Sequence, residues 1–329
     1  MTAVMESKLL DAVPINASAT YIGDSLFVKP APVFMEKTRI INECGAKPEI
    51  AVYTDAGPSS ARLHSGSMED DHAVQFVGAG PGAADLLTVR AVRLLSEAET
   101  VLYPGSYLDD AVLANCAPDA ELVDTQTLDL DAIVGSLVDG YRAGRRVVRL
   151  VSGDPSVYSA VSEQTRRLDD AGVPWSVTPG VPAYAAAAAR VGRELTVPLV
   201  AQSVVLTRTR QRSTAMPETE SLKAFAATRS TLVLHLAITR TRELMAELQP
   251  EYGPDCPVVV VYRASQPQER VLRGTVADIA DAVDAAGLHQ AAVILVGRAL
   301  AGRPDPEAGE SYLYDPARDR SVKRTEGSH

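Results

Sequence analysis

From residue 74 onward, short apolar runs alternate with amphipathic helical segments, and that rhythm limits the chain to a layered α/β fold. Val74-Gln75-Phe76-Val77 reads as a strand that stops at Gly78. The period then changes: Leu86, Val89, Val92, Leu94 and Leu95 give an apolar face to a helix opening near Asp85. Strands follow at 101–103, 147–151 and 175–177, with helices over 130–141, 157–171 and 183–191. This order predicts a mostly parallel, doubly wound sheet. A break at 195–202, around Pro198, precedes a second set of strands at 204–206, 231–236, 258–261 and 293–296, with an edge strand at 270–273. Helices over 220–227, 239–248 and 276–286 lie between them. The chain is thus expected to be α/β with two domains, residues 73–197 and 198–303. The cleft between such domains is a usual ligand site.

The ends read differently. Residues 1–72 hold turn residues throughout and close on the polar, acidic HSGSMEDDH. Apolar runs at 26–28 and 50–53 suggest strands, but nothing in the sequence pairs them, so this extension is expected to be partly ordered at best. Residues 304–329 read as a solvated polar tail. No stretch approaches the roughly 18 apolar residues of a membrane span. Glu6 and Asp11 stand where a secretory leader would be basic and then apolar. Cys44, Cys116 and Cys256 are too few and scattered for a disulfide framework, which predicts a cytoplasmic protein. Five histidines leave no histidine-rich zinc site, and no metal is expected.

A net charge of −10 argues against a nucleic-acid partner and requires any anionic ligand to find a local basic patch. Residues 186–216 contain one, with Arg190, Arg193, Arg208, Arg210 and Arg212 against the single acid Glu194. A run of this kind is often only a solvated surface. Three of these arginines fall in TRTRQRSTAMPE at 207–218, directly after a strand, where guanidinium forks suit a polycarboxylate.

Three further loops follow strands. Gly78-Ala79-Gly80-Pro81-Gly82 looks like a dinucleotide loop. Against that reading, Pro81 removes an N–H, and the next strand ends in Tyr103-Pro104-Gly105 where a ribose-binding acid is expected. A plain tight turn also accounts for it. Ser152-Gly153-Asp154-Pro155-Ser156-Val157-Tyr158 lies at the carboxyl end of its strand, the favoured ligand position in open α/β sheets. Asp154 can serve there as a ligand to a polar group, as a helix cap, or as both. Thr178-Pro179-Gly180-Val181-Pro182-Ala183 is a rigid turn opening a helix at Pro182.

In this order, and with Glu194-Leu195-Thr196-Val197-Pro198, these segments resemble the tetrapyrrole (corrin/porphyrin) methylase family over residues 74–301. Within the family, TRTRQRSTAMPE with Glu220-Ser221-Leu222 is similar to the segment carried by precorrin-4 methylases. The resemblance implies two α/β domains, a mostly parallel first sheet and a mixed second sheet, with S-adenosyl-L-methionine in the cleft. It also implies a homodimer acting on a small tetrapyrrole substrate, metal-free or cobalt-bearing, with neither nucleic acid nor membrane as partner. Carried over residue by residue, the donor site comprises Pro81, Ser152, Gly153, Asp154, Val157, Tyr158, Pro182, Ala183, Leu236 and Ala264. The substrate side comprises Gly78, Gly80, Gly82, Arg190, Arg193, Arg208 and Arg212. Transfer from a sulfonium to an electron-rich ring carbon needs mainly positioning and loss of a proton, and no residue reads as the base. An NAD(P)-linked oxidoreductase is the rival class.

Overall fold

A computed structural model of the chain describes residues 72–105, 108–209, 216–302, 311–312 and 315–318, together with the backbone of four strands within residues 18–53. The chain divides into two compact units, Met1–Ser67 and Met68–His329. In the first, β1 (Ser18–Ile22), β2 (Ser25–Lys29), β3 (Lys37–Ile40) and β4 (Ile50–Tyr53) form an antiparallel sheet in chain order. The runs at 26–28 and 50–53 therefore do find partners, in β2 and β4. The link between them is Lys-Thr-Arg-Ile, a strand without an apolar run to betray it.

The second unit carries two five-stranded sheets. The first joins β5 (Val74–Gly78), β6 (Thr100–Tyr103), β7 (Glu121–Asp124), β8 (Val147–Val151) and β9 (Trp175–Thr178) in the order β7-β6-β8-β5-β9, every pair parallel. Burial on both faces explains its unbroken apolar runs. One face of β5, β6 and β8 (Val77, Val101, Val148, Leu150) packs on α1 (Val89–Glu97) and α2 (Asp110–Leu113). The other (Val74, Phe76, Leu102, Val147) packs on α3 (Leu130–Arg142) and α4 (Val161–Asp170).

Three local details depart from the sequence reading. Strand β7 was not foreseen, because Glu-Leu-Val-Asp at an exposed sheet edge leaves little hydrophobic signal. Helix α1 begins at Val89 and not near Asp85, since the Thr88 side chain accepts the Ala91 N–H (3.1 Å) and caps it there. Helix α4 begins at Val161 and not Val157, because Tyr158 (φ 53°) and Ala160 (φ 55°) are left-handed and cannot continue a helix.

The second sheet joins β10 (Val204–Arg208), β11 (Thr231–His235), β12 (Pro257–Tyr262), β13 (Arg270–Thr275) and β14 (Ala292–Val296) in the order β10-β11-β14-β12-β13. Only β10–β11 is parallel, so the sheet is mixed. Leu232, Leu234, Val258, Val260, Ile294 and Val296 face α7 (Thr241–Tyr252) and α8 (Ile279–Ala286), with α6 (Leu222–Ala226) at the side. The alternate residues Val233, Val259, Val261, Val293 and Leu295 face α5 (Ala183–Val191). Helix α5 precedes the break at Pro198 in sequence and yet packs on the second sheet. Its alanines Ala186 and Ala187 let the backbone lie close to that sheet and lock the two halves together.

Two glycines separate crowding from mere flexibility. A Cβ on Gly78 would lie 2.5 Å from the Gly180 nitrogen and 2.8 Å from the Gly153 oxygen, all backbone. Gly135, inside α3, has nothing within 4 Å of that position. Gly78→Ala should therefore destabilise the fold by about 2–4 kcal/mol in urea unfolding, while Gly135→Ala should stabilise it by about 0.5–1 kcal/mol.

Candidate active site

The carboxyl ends of β5, β8 and β9 meet glycine to glycine. A Cβ on Gly180 would lie 2.3 Å from the Gly153 oxygen and 2.8 Å from the Gly78 Cα. Gly80 and Gly153 then exchange both backbone hydrogen bonds (3.1 and 2.8 Å), a bridge that holds the glycine loop against the Ser152–Tyr158 loop. Pro182, the N-cap of α5, and Ala183 lie beside Gly153, with Pro182 Cα and Ala183 N each 3.8 Å from where its Cβ would stand. The loops predicted to form one site are thus brought together.

Asp154 is what fastens them. One carboxylate oxygen accepts the Ser156 N–H at 2.8 Å and the Ser156 hydroxyl, and the other accepts the Gly180 N–H at 2.8 Å. Partial burial pushes the carboxyl pKa up, but these bonds from Ser156 and Gly180 outweigh it and hold the group below its ordinary value. Both oxygens of the residue expected to meet a ligand are already engaged, one within its own loop and the other across to the Gly180 loop.

The second half contributes the carboxyl ends of β10, β11 and β12. After β12, the Ser265 hydroxyl accepts the Ala83 N–H (3.1 Å), and Gln266 donates from Nε2 to the Pro81 carbonyl (3.1 Å). Gly82 leaves no room for a side chain, since a Cβ there would lie 2.2 Å from the Gln266 side chain. Pro81 and Gly82 are buried in that seam. Ala264 is buried with Ala187, Val233 and Val261 in the core. After β11, Leu236 is left-handed (φ 52°) and 62% exposed. The Tyr158 ring reaches across from the first half to the ring of His235, with centroids 5.4 Å apart and planes at 54°. Five of the eight left-handed non-glycine residues among those described (Tyr158, Ala160, Leu236, Arg263 and Ser265) belong to these loops, the kind of place where strain is retained for function.

The arginines divide. Burial pushes the Tyr158 phenol pKa up, and the charge of Arg208, at the end of β10, is close enough to pull against that shift. Arg190 pairs with Glu269, and Arg193 donates to the Gly302 carbonyl at 2.9 Å. Arg190 lies in the last turn of α5, about 12 Å along that helix from Pro182, and Arg193 just beyond its Gly192 cap. Arg212 lies outside the described residues. His235 was missed by sequence reasoning, although a lone polar residue closing an apolar strand (TLVLH) was the available signal. Burial pushes its pKa down to about 4, so the imidazole is neutral at neutral pH. Among the described residues no group of three or more His, Cys, Asp or Glu side chains is placed to hold a metal ion. No helix among them is long and apolar enough to cross a membrane.

An α/β chain with a parallel and a mixed sheet, whose strand-end loops meet through Ala83–Ser265, Pro81–Gln266 and Tyr158–His235, has the layout in which such folds bind small molecules. The tetrapyrrole (corrin/porphyrin) methylases match residues 73–280, and the chain belongs to that family. It is 52% identical over 249 residues to a precorrin-4 C(11)-methyltransferase of Rhodococcus erythropolis, covering 76% of this chain and 99% of that protein. The solved structure of a cobalt precorrin-4 methyltransferase of cobalamin biosynthesis superposes with a TM-score of 0.68 at 40% identity, covering 70% of this chain and 97% of the other. A uroporphyrin-III C-methyltransferase of Thermus thermophilus, complexed with S-adenyl homocysteine, superposes with a TM-score of 0.58 at 32% identity over 69% of this chain and 98% of the other.

Asp154 yields a pH-dependent expectation. Its carboxyl pKa is lower folded than unfolded, so its contribution to stability is present above the ordinary carboxylate pKa of 3.8 and is lost as pH falls through the folded value. Asp154→Asn should be less stable than wild type at pH 7, and the gap should narrow as pH falls below the ordinary carboxylate value of 3.8 in urea titrations at each pH.

Proposed function

We propose that the chain transfers the methyl group of S-adenosylmethionine to C11 of precorrin-4, giving precorrin-5 on the route to the corrin ring. The observation that carries this reading is the 52% identity spanning 99% of a precorrin-4 C(11)-methyltransferase. The lower identity to the cobalt precorrin-4 enzyme, 40%, favours the metal-free ring.

The residues suit such a donor and substrate. Gly153, beside Pro182 and Ala183, leaves a backbone-lined cradle, and exposed Leu236 offers an apolar surface to a flat purine. Bound there, the donor supplies a sulfonium-held methyl group. Ser152, Gly153, Val157, Tyr158, Pro182, Ala183 and Leu236 then hold it, with Pro81, Asp154 and Ala264 shaping the loops from behind. The ring lies toward Arg208, whose fork pairs with an acid side arm. Gly78, Gly80 and Gly82 keep the floor low enough for the ring carbon to reach the methyl group in line. We assign Arg190 and Arg193 a lesser part, as the outer basic rim, and Arg212, four residues after Arg208 in sequence, a part in binding the same substrate. The same reading makes the enzyme a cytoplasmic homodimer, which light scattering of the purified protein tests.

Incubation with S-adenosylmethionine and precorrin-4 should add one methyl group by mass, and faster than with the cobalt form. No gain on either ring sinks the proposal. Arg208→Ala should cost about 2–4 kcal/mol in kcat/KM with S-adenosylhomocysteine affinity unaltered, and Arg208→Lys should recover only part. A chain beginning at His72 should keep the activity, since the family match starts at residue 73.

A further inference from the structure

His235 is used by nothing described so far. It ends β11, and the parallel register sets it directly opposite Arg208 at the end of β10. Paired positions in a sheet carry their side chains on the same face, so the His235 and Arg208 side chains leave the sheet on one side from neighbouring strands. The tilted Tyr158 ring meets the imidazole, and its phenol, pushed up by burial, feels the opposing charges of Arg208 and Glu220. The Nε2 atom of His235 is sealed from water and has no hydrogen-bond partner among the described residues. A sealed polar atom without a partner is costly, and each such atom calls for an explanation. Tyr158, whose ring meets that imidazole, is itself held at φ 53° and is 46% exposed.

Resting on the family reading above, we propose that Arg208 and His235 form a carboxylate seat, covered by Tyr158 until a ligand enters, and that an acid side arm of the tetrapyrrole fills it. The chemistry is that of a half-buried carboxylate, which needs a cation and further donors. Arg208 supplies the fork and a neutral imidazole protonated on Nε2 supplies one more N–H. Sealing Nε2 under a movable ring keeps the seat dry until the acid displaces the ring. The carboxylate of the donor's amino-acid end has the same chemistry, so the test must separate the two sources.

The full chain, the single variants His235→Ala and His235→Gln, and calorimetric binding at pH 7 suffice. The ligands are uroporphyrin III, S-adenosylhomocysteine and methylthioadenosine, the last lacking the carboxylate. His235→Ala should weaken uroporphyrin III about tenfold or more, His235→Gln should stay within about threefold because its amide still donates, and S-adenosylhomocysteine should be unaffected. A loss confined to S-adenosylhomocysteine, with methylthioadenosine unchanged, leaves the seat standing and assigns it to the donor carboxylate. A bound carboxylate raises the proton affinity of the imidazole, so wild-type binding of the filling ligand should tighten from pH 8 to 5.5 more steeply than that of His235→Gln. Unchanged affinities for all three ligands in folded His235→Ala would overturn the proposal. Should that variant not fold, identical pH slopes in wild type and His235→Gln would overturn it instead. Methyl transfer by wild type to precorrin-4 is the separate control: its absence defeats the function proposed above, while the binding results still decide the seat.

Discussion

Three strand ends meet with no side chain between them, and the rest of the site depends on that contact. Gly78, Gly153 and Gly180 bring backbone to backbone at distances that exclude even one methyl group. Because β8 and β9 flank β5 on either side, this closes the carboxyl edge of the first sheet into a single surface. The Gly80–Gly153 bridge and the Asp154 bond to Gly180 then fix its shape. The same loop carries Gly82 on to Gln266, which ties the first half to the second. In the glycine loop that looks made for phosphate, Gly78 is required by close packing of protein backbone.

The electrostatics are local. A chain of net charge −10 repels acids at long range, so a polyacid must be recognised by a few groups inside a cleft. Arg208, at the end of β10, is the cation proposed for that part. His235 stays neutral because it is buried, and Asp154 stays ionised because Ser156 and Gly180 hydrogen-bond it. Neither state follows from residue type alone. Each is set by what the fold places within bonding distance.

Much of this was legible in the sequence, for definite reasons. Strands buried on both faces write continuous apolar runs, so β5, β8, β11, β12 and β14 declare themselves, and with them the two-sheet division. Loops rich in glycine and proline declare themselves too, and the Gly78, Gly153 and Pro182 loops do converge. Edge strand β7 stayed hidden because its side chains are mostly exposed, and β3 because it is charged. The capping role of Thr88 and the left-handed Tyr158 moved helix starts by several residues, a local effect that apolar periodicity does not register. His235 and the Ser265-Gln266 contact were invisible because their meaning lies across the cleft, at separations of 77 residues from Tyr158 and about 185 from Pro81.

The central claim is that the glycine contact builds one donor site from loops of both halves. A crystal structure of the full chain with S-adenosylhomocysteine tests it most directly. The account predicts the ligand between Ser152–Gly153, Pro182–Ala183 and Leu236, touching both halves, with the Asp154–Gly180 bond intact behind it. A ligand lying on the Gly78–Gly82 loop in the manner of a dinucleotide, with Leu236 and Pro182 untouched, would contradict it.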